Sequence, residues 1–323
     1  MTGLREPPTK QRPSRVVARF LVLVILLAVV GGVVWVAVTN QRIGLIEDVV
    51  LEDLELEDVA EVEGLRINVT EGTGGLIPVI LLHDRDVVGS AMLDGVAAEL
   101  SGRFRPVQID LPGYGFSSRI PEVATAHTIA AMAETILSII EERYTLRPVL
   151  VGVGLGGKVA AEIAVTDPDL IRGLVMVDVD FWEEQTWELF AQGLPFVGEA
   201  ATYTFETGGR LAFDKWAPHC AEGGWCPSAS QSAVRSQVTE IRDTTASLNA
   251  FLATPVSSLV PSDLDKITAP VAYLWSSEGV VPEANADRVF EAVPGIIRSA
   301  VPVWKAHLTQ PVSVVDLIDE VGR

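Results

Sequence analysis

His307, in the stretch Trp304 to Pro311 "WKAHLTQP", is the side chain best equipped for proton transfer, because an imidazole titrates near neutral pH. A histidine base needs two companions: a nucleophile to deprotonate and a carboxylate to fix its ring. Asp180, in "VMVDVD" at the end of an apolar run, is the candidate for the second role, with Asp178 beside it. For the first role the chain has a suitable scaffold. Val149 to Ala160, "VLVGVGLGGKVA", reads as a buried strand, a glycine-dense turn and a helix start. Such a turn would present its central side chain beyond the strand end. That residue is Gly154, which carries no atom able to attack. Ser90, Ser117 and Ser118 lie on loops near other strand ends, where serines commonly form turns.

Acyl transfer also needs donors aimed at developing negative charge. The Leu155 N–H, next after the centre of the turn, can supply one. His83 and Asp84 close another apolar run, "VILLHD". His83 is read as a strand-end packing residue, and Asp84 as a charge opposing an oxyanion. His127, in a helical pattern, is read as a core or surface residue. "GVGLGG" superficially matches a dinucleotide fingerprint, but a lone match is weak, and no cofactor is expected. Cys220 and Cys226, in "HCAEGGWC", have only His219 beside them, too few ligands for zinc, so no metal is expected. In a domain outside the cytoplasm so close a pair reads as a disulfide.

The elements that must position these residues alternate. Continuous apolar strand runs and amphipathic helical segments fill residues 64–181 and 262–323. That is the pattern of a mostly parallel sheet covered on both faces. Residues 182–261 break the rhythm and hold Trp182, Trp187, Trp216, Trp225 and the cysteine pair, so they are read as a cap insertion.

Five stretches in series resemble the α/β-hydrolase fold. "VILLHD" is similar to its strand followed by His-Gly. "DLPGYGFSS", Asp110 to Ser118, closely resembles its Asp-x-Pro-Gly-x-Gly-x-Ser loop. "VGVGLGGKVAAEIA" resembles its nucleophile elbow, "YLWSSEGVVP" its acid-bearing loop and "WKAHLTQP" its histidine loop. The resemblance implies an α/β core with the cap above it, His307 in the catalytic histidine position, and Gly154 where Gly-x-Ser-x-Gly has its serine. It places Gly279, in Ser276-Ser277-Glu278-Gly279, in the acid position, and Asp84 where the family has glycine. A chain lacking nucleophile and acid resembles the N-myc downstream-regulated proteins, which keep this fold without the serine.

Phe20 to Val38, "FLVLVILLAVVGGVVWVAV", contains no charge and is long enough for the roughly 30 Å core of a bilayer. A cleaved signal usually has a shorter apolar region of about 7–15 residues. Residues 1–19 carry five basic groups against one acid, so the remainder of a chain of net charge −19 carries −23. Positive charge before the span places that tail in the cytoplasm and the main domain outside, at the cell membrane. So acidic a domain is a poor partner for nucleic acid. Residues 39–63 are read as an acidic linker leading to the first strand, with Glu47 to Glu63 a solvated face.

The expectation is therefore a membrane-anchored α/β-hydrolase-fold protein without hydrolytic chemistry, whose partners are the bilayer, through residues 20–38, and a small apolar ligand or a protein at the cap. The competing expectation is a working ester hydrolase in which His307 and Asp180 serve a nucleophile from elsewhere.

Overall fold

The computed structural model describes residues 15–100, 102–122, 125–182, 186–217, 220, 224–254 and 261–323. His219 and most of the basic tail lie outside the described residues.

Eight strands form one sheet: β1 (Val59–Val62), β2 (Leu65–Glu71), β3 (Pro78–Leu82), β4 (Arg105–Ile109), β5 (Val149–Val153), β6 (Gly173–Val177), β7 (Val271–Ser276) and β8 (Ile297–Val301), in the order β1-β2-β4-β3-β5-β6-β7-β8. β2 is antiparallel to β1 and β4, and every other pairing is parallel. The central strands β3, β5 and β6 are buried along their whole length, as apolar runs sandwiched between two helical layers must be. Alternation along each strand divides the core in two. Ile80 and Leu82 face the layer built by α3 (Ile129–Arg143) and α4 (Leu155–Thr166), whereas Val79 and Leu81 face α2 (Asp94–Leu100) and α12 (Pro311–Val321). α10 (Glu283–Ala292) joins the first layer through Ala286 and Val289.

Above the C-terminal ends of the strands lies the cap: α5 (Trp187–Gln192), α6 (Gly198–Thr202), a π-helical turn at Tyr203–Thr207, α7 (Gly209–Trp216), α8 (Ala229–Glu240) and α9 (Thr244–Ala253). The start of α8 is fixed by a capping box: Ser228 Oγ accepts the Gln231 N–H and Gln231 Oε1 accepts the Ser228 N–H. Cys220 and Cys226 are joined by a disulfide within the cap.

The N-terminal segment departs from its sequence reading. The apolar span lies within a longer helix, α1 (Arg15–Ile46), whose stretch Arg19–Ile46 is long and apolar enough to cross a membrane, with a mean hydropathy of 3.1 over an eighteen-residue window. Its length and composition are compatible with a single-pass anchor or with a signal sequence. Residues 39–46 are therefore helix rather than linker. Glu47 is not on a solvated face: it is 8% exposed, and its carboxylate accepts the N–H and hydroxyl of Thr245, at the start of α9. Val49 continues the junction, pairing its backbone with Glu240 and Arg242. The acidic character of the run concealed this, because hydrogen bonds, not exposure, satisfy the first acid.

Candidate active site

The turn after β5 keeps the geometry of a nucleophile elbow. Gly154 has φ +49° and ψ −111°, a conformation costly for any residue with a Cβ. Glycine adopts it without that cost, so the turn persists where the side chain does not. Its N–H donates to Val177 O at 3.0 Å, and its carbonyl accepts from Gly157 and Lys158 in the first turn of α4. Gly156 lets the helix approach β3 closely, since a Cβ there would lie 2.3 Å from Leu82 O.

The space that a side chain at Gly154 would need is filled by another residue. A Cβ built on Gly154 would meet Asp84 Oδ1 at 2.0 Å and Asp84 Cγ at 2.3 Å. Asp84 reaches there from the loop after β3. Its Oδ1 accepts the Leu155 N–H at 3.0 Å, so the backbone donor that an oxyanion would use already holds a carboxylate. Burial resists ionisation of Asp84, but Lys305, Arg85 and the N–H groups of Leu155 and Arg85 outweigh it and hold the carboxyl down to about 2. Asp84 is thus a permanent anion at neutral pH. It does more than oppose an oxyanion nearby, as its position suggests; it takes the donor itself.

His307 is carried by the short helix α11 (Ala306–Thr309), directly after Lys305, whose φ is +45°. Its ring is 3% exposed, and Nδ1 is buried with no hydrogen-bond partner. Burial and the Lys305 charge push its pKa down to about 3, against the pull of Asp84. The imidazole is therefore neutral, and no carboxylate orients it through Nδ1. Asp180 does not serve: its oxygens accept from Asn285 Nδ2 at 3.1 Å and from the Trp182 N–H at 2.8 Å. Asp178 is tied to Ser276 instead, accepting the N–H and the hydroxyl, each at 2.7 Å. Ser276 Oγ in turn accepts the Ala306 N–H, so this chain of bonds fixes the start of α11. Gly279 donates its N–H to Ser276 O, and a Cβ on it would sit 2.9 Å from that same oxygen. A side chain in the acid position would therefore require the loop to shift.

The side chains of His83, Ser117, Ser118 and His127 are engaged away from the elbow. His83 is fully buried; its Nε2 accepts the Leu111 N–H at 3.0 Å, which leaves Nδ1 to donate to Asp84 O at 2.6 Å. Ser117 Oγ donates to Asp110 O and accepts the Asn68 N–H, and Ser118 Oγ accepts the Arg66 N–H. Ser90 is held through its N–H by the Asp110 carboxylate. His127 donates from Nε2 to Ile120 O.

Two cavities divide the site. One, of about 480 Å³, lies over the elbow and is lined by Asp84, Gly154, Leu155, Asp178 and Asp180, with Arg85 and Lys158 as cations and Ile129, Phe251 and Val281 as apolar walls. The other, of about 370 Å³, is the one that His307 lines, with Met92, Trp225 and the disulfide sulfur's residue Cys226. Sequence reasoning missed Lys305, which stands within Coulombic reach of Asp84, Asp86, Asp178 and His307. Its only signal was its place in the histidine loop, two residues before His307. The role of Asp84 had a clearer one, an acid where glycine belongs.

The strand order, the elbow and the histidine loop define an α/β-hydrolase core. The model of the alpha/beta hydrolase family matches residues 79–317, and the chain belongs to that family. It is similar to the pimeloyl-[acyl-carrier protein] methyl ester esterase of Nitrosomonas europaea, 35% identical over 107 residues, which are 33% of this chain and 39% of that protein. The match to the first curated relative spans 52% of that relative's length. Among solved structures it resembles the thioesterase domain from the curacin biosynthetic pathway, with a TM-score of 0.62 and 18% identity over 81% of this chain and 97% of that one. It also resembles the enol-lactonase from Burkholderia xenovorans, with a TM-score of 0.63 and 14% identity over 82% of this chain and all of that one. Identities this low carry the fold and not the chemistry.

Proposed function

We propose that this protein is a membrane-anchored, extracytoplasmic member of the family that has lost hydrolysis and binds a small, largely apolar ligand in the cavity above the elbow. One observation carries the reading. The Asp84 carboxylate stands in the nucleophile's space and takes the Leu155 N–H, so the site has neither an attacking atom nor a free donor there for an oxyanion. His307 lacks an orienting acid as well. What survives is a cavity of ligand size with apolar walls and a few fixed charges, the ordinary form of a small-molecule site.

The test is occupancy. Protein purified from its own membrane should release a small molecule on denaturation, detectable by mass spectrometry, and Ile129→Trp, which fills the cavity, should release none. An empty wild-type cavity together with ester turnover would return the site to hydrolysis. The anchor and its orientation rest on the apolar stretch of α1, the basic residues before it and the disulfide in the cap. Protease added to intact cells should digest the large domain; complete protection of that domain would reverse the orientation.

A further inference from the structure

We infer that the groove between α1 and the cap is a phospholipid site, with the acyl end along Gly31–Val38 and the phosphodiester between Arg42 and Arg210. The inference rests on the anchor reading of α1. Gly31, Val34, Trp35 and Val38 line one wall of a cleft of about 540 Å³, and Tyr203 and Leu211 of the cap line the other. Thr39 and Arg42 continue the first wall beyond the apolar span, and Thr204 and Arg210 are the polar groups of the second.

Depth decides what fills it. Gly31 lies seven residues before Val38, where the apolar stretch ends, which at 1.5 Å per residue is about 10 Å of helix. If residues 20–38 occupy the roughly 30 Å hydrocarbon core, the cap residues facing Gly31–Val38 cannot be in bulk water. The cap is held to that helix: Thr245 grips Glu47, and Val49 pairs with Glu240 and Arg242. Leu211 is 55% exposed in the chain alone, an exposure that acyl chains would cover. The cleft runs from an apolar end to a cationic one over about three helical turns, as a phospholipid does. Guanidinium groups suit phosphate oxygens geometrically. Arg210 already pairs with Asp214 at 3.5 Å on an exposed helix face, a solvated contact that a phosphate can share. The charge of −23 outside the tail selects the lipid class, because it repels an anionic surface; a zwitterionic phospholipid brings a phosphate without net charge.

Gly31 supplies a clean test. A Cβ there meets nothing within 4 Å, so Gly31→Leu extends into the cleft without a clash and replaces a poor helix former. The full-length protein is reconstituted in phosphatidylcholine vesicles containing a phosphatidylcholine with a photoreactive acyl chain. After irradiation, labelled peptides are mapped by mass spectrometry, and membrane integration is checked separately by alkaline carbonate extraction. The wild type should resist extraction and carry label on the cap segment Tyr203–Leu211 as well as on α1. Gly31→Leu should remain integral, keep label on α1 and lose it from the cap. Label confined to α1 in an integral wild-type protein overturns the inference and leaves the anchor intact, as does cap labelling that Gly31→Leu does not change. Release of the wild type by carbonate overturns the anchor reading and this inference with it.

Discussion

The Asp84 carboxylate and the Gly154 Cα occupy one site between them: a Cβ on Gly154 would lie 2.0 Å from Asp84 Oδ1. The two residues are therefore coupled, and neither can be changed toward the family pattern alone. Gly154→Ser should destabilise the protein, because the new side chain overlaps a buried anion on a backbone with φ +49°. Asp84→Gly alone should destabilise through the lost bond to Leu155 and the loss of one of the carboxylates that face Lys305. The double variant should lose less than the sum, with a coupling of about 1–3 kcal/mol, as expected for residues in contact. Thermal unfolding of the four proteins of this cycle measures it; additive losses would mean that Asp84 does not fill the space.

Burial of a neutral His307 should appear as pH dependence. Its folded pKa, about 3, lies below the unfolded value of 6.5, so between these values the unfolded chain binds the additional proton. The stability that His307 contributes is full above pH 6.5 and is lost as pH falls toward 3, by at most about 1.4 kcal/mol per pH unit. Asp178 and Asp86, raised by burial, act in the opposite direction, losing their contribution as pH rises through their folded values. The difference between wild type and His307→Gln isolates the histidine. It should shrink from pH 7 to pH 4; a flat difference would place the ring in water.

The disulfide closes a short loop, so its contribution should be modest, roughly 2–3 kcal/mol on the chain-entropy model. Cys220→Ser with Cys226→Ser should lower the unfolding midpoint accordingly. Alkylation without reductant should leave both cysteines of the native protein unmodified, and their labelling would show free thiols.

Glu47 gives the junction of α1 and cap its own test. Glu47→Ala leaves the buried Thr245 N–H without its acceptor, and the hydroxyl with Thr207 Oγ1 as its remaining partner. The cost should be about 1–3 kcal/mol, and Glu47→Gln, which keeps an acceptor oxygen, should cost less. Equal losses would show that charge and not hydrogen bonding holds the junction.

Much of this fold was legible in the chain. The runs "PVILL", "VLVGV" and "GLVMV" are continuous and apolar because both faces of their strands are covered, and all three became central strands. The elbow was legible as a turn because a strand, close-packed glycines and a helix start leave few alternatives. The occupant of the elbow was not. Asp84 is 70 positions from Gly154, and periodicity says nothing about which loop side chain folds over a strand end. The same holds for Lys305 and for Glu47, whose burial depends on a partner, Thr245, 198 residues away. Asp180 failed as an acid for a similar reason: Asn285, from α10, reached it first.

The central claim is that the site no longer hydrolyses, and turnover by the wild-type protein tests it most directly. Short- and medium-chain p-nitrophenyl esters are offered to the purified full-length protein, with a fluorophosphonate probe alongside and His307→Ala as control. Wild type should show no turnover above the control and no labelling. Gly154→Ser should be equally silent, since Asp84 retains the Leu155 donor and His307 Nδ1 has no acid. Robust ester turnover by the wild type, abolished by His307→Ala, would contradict the account.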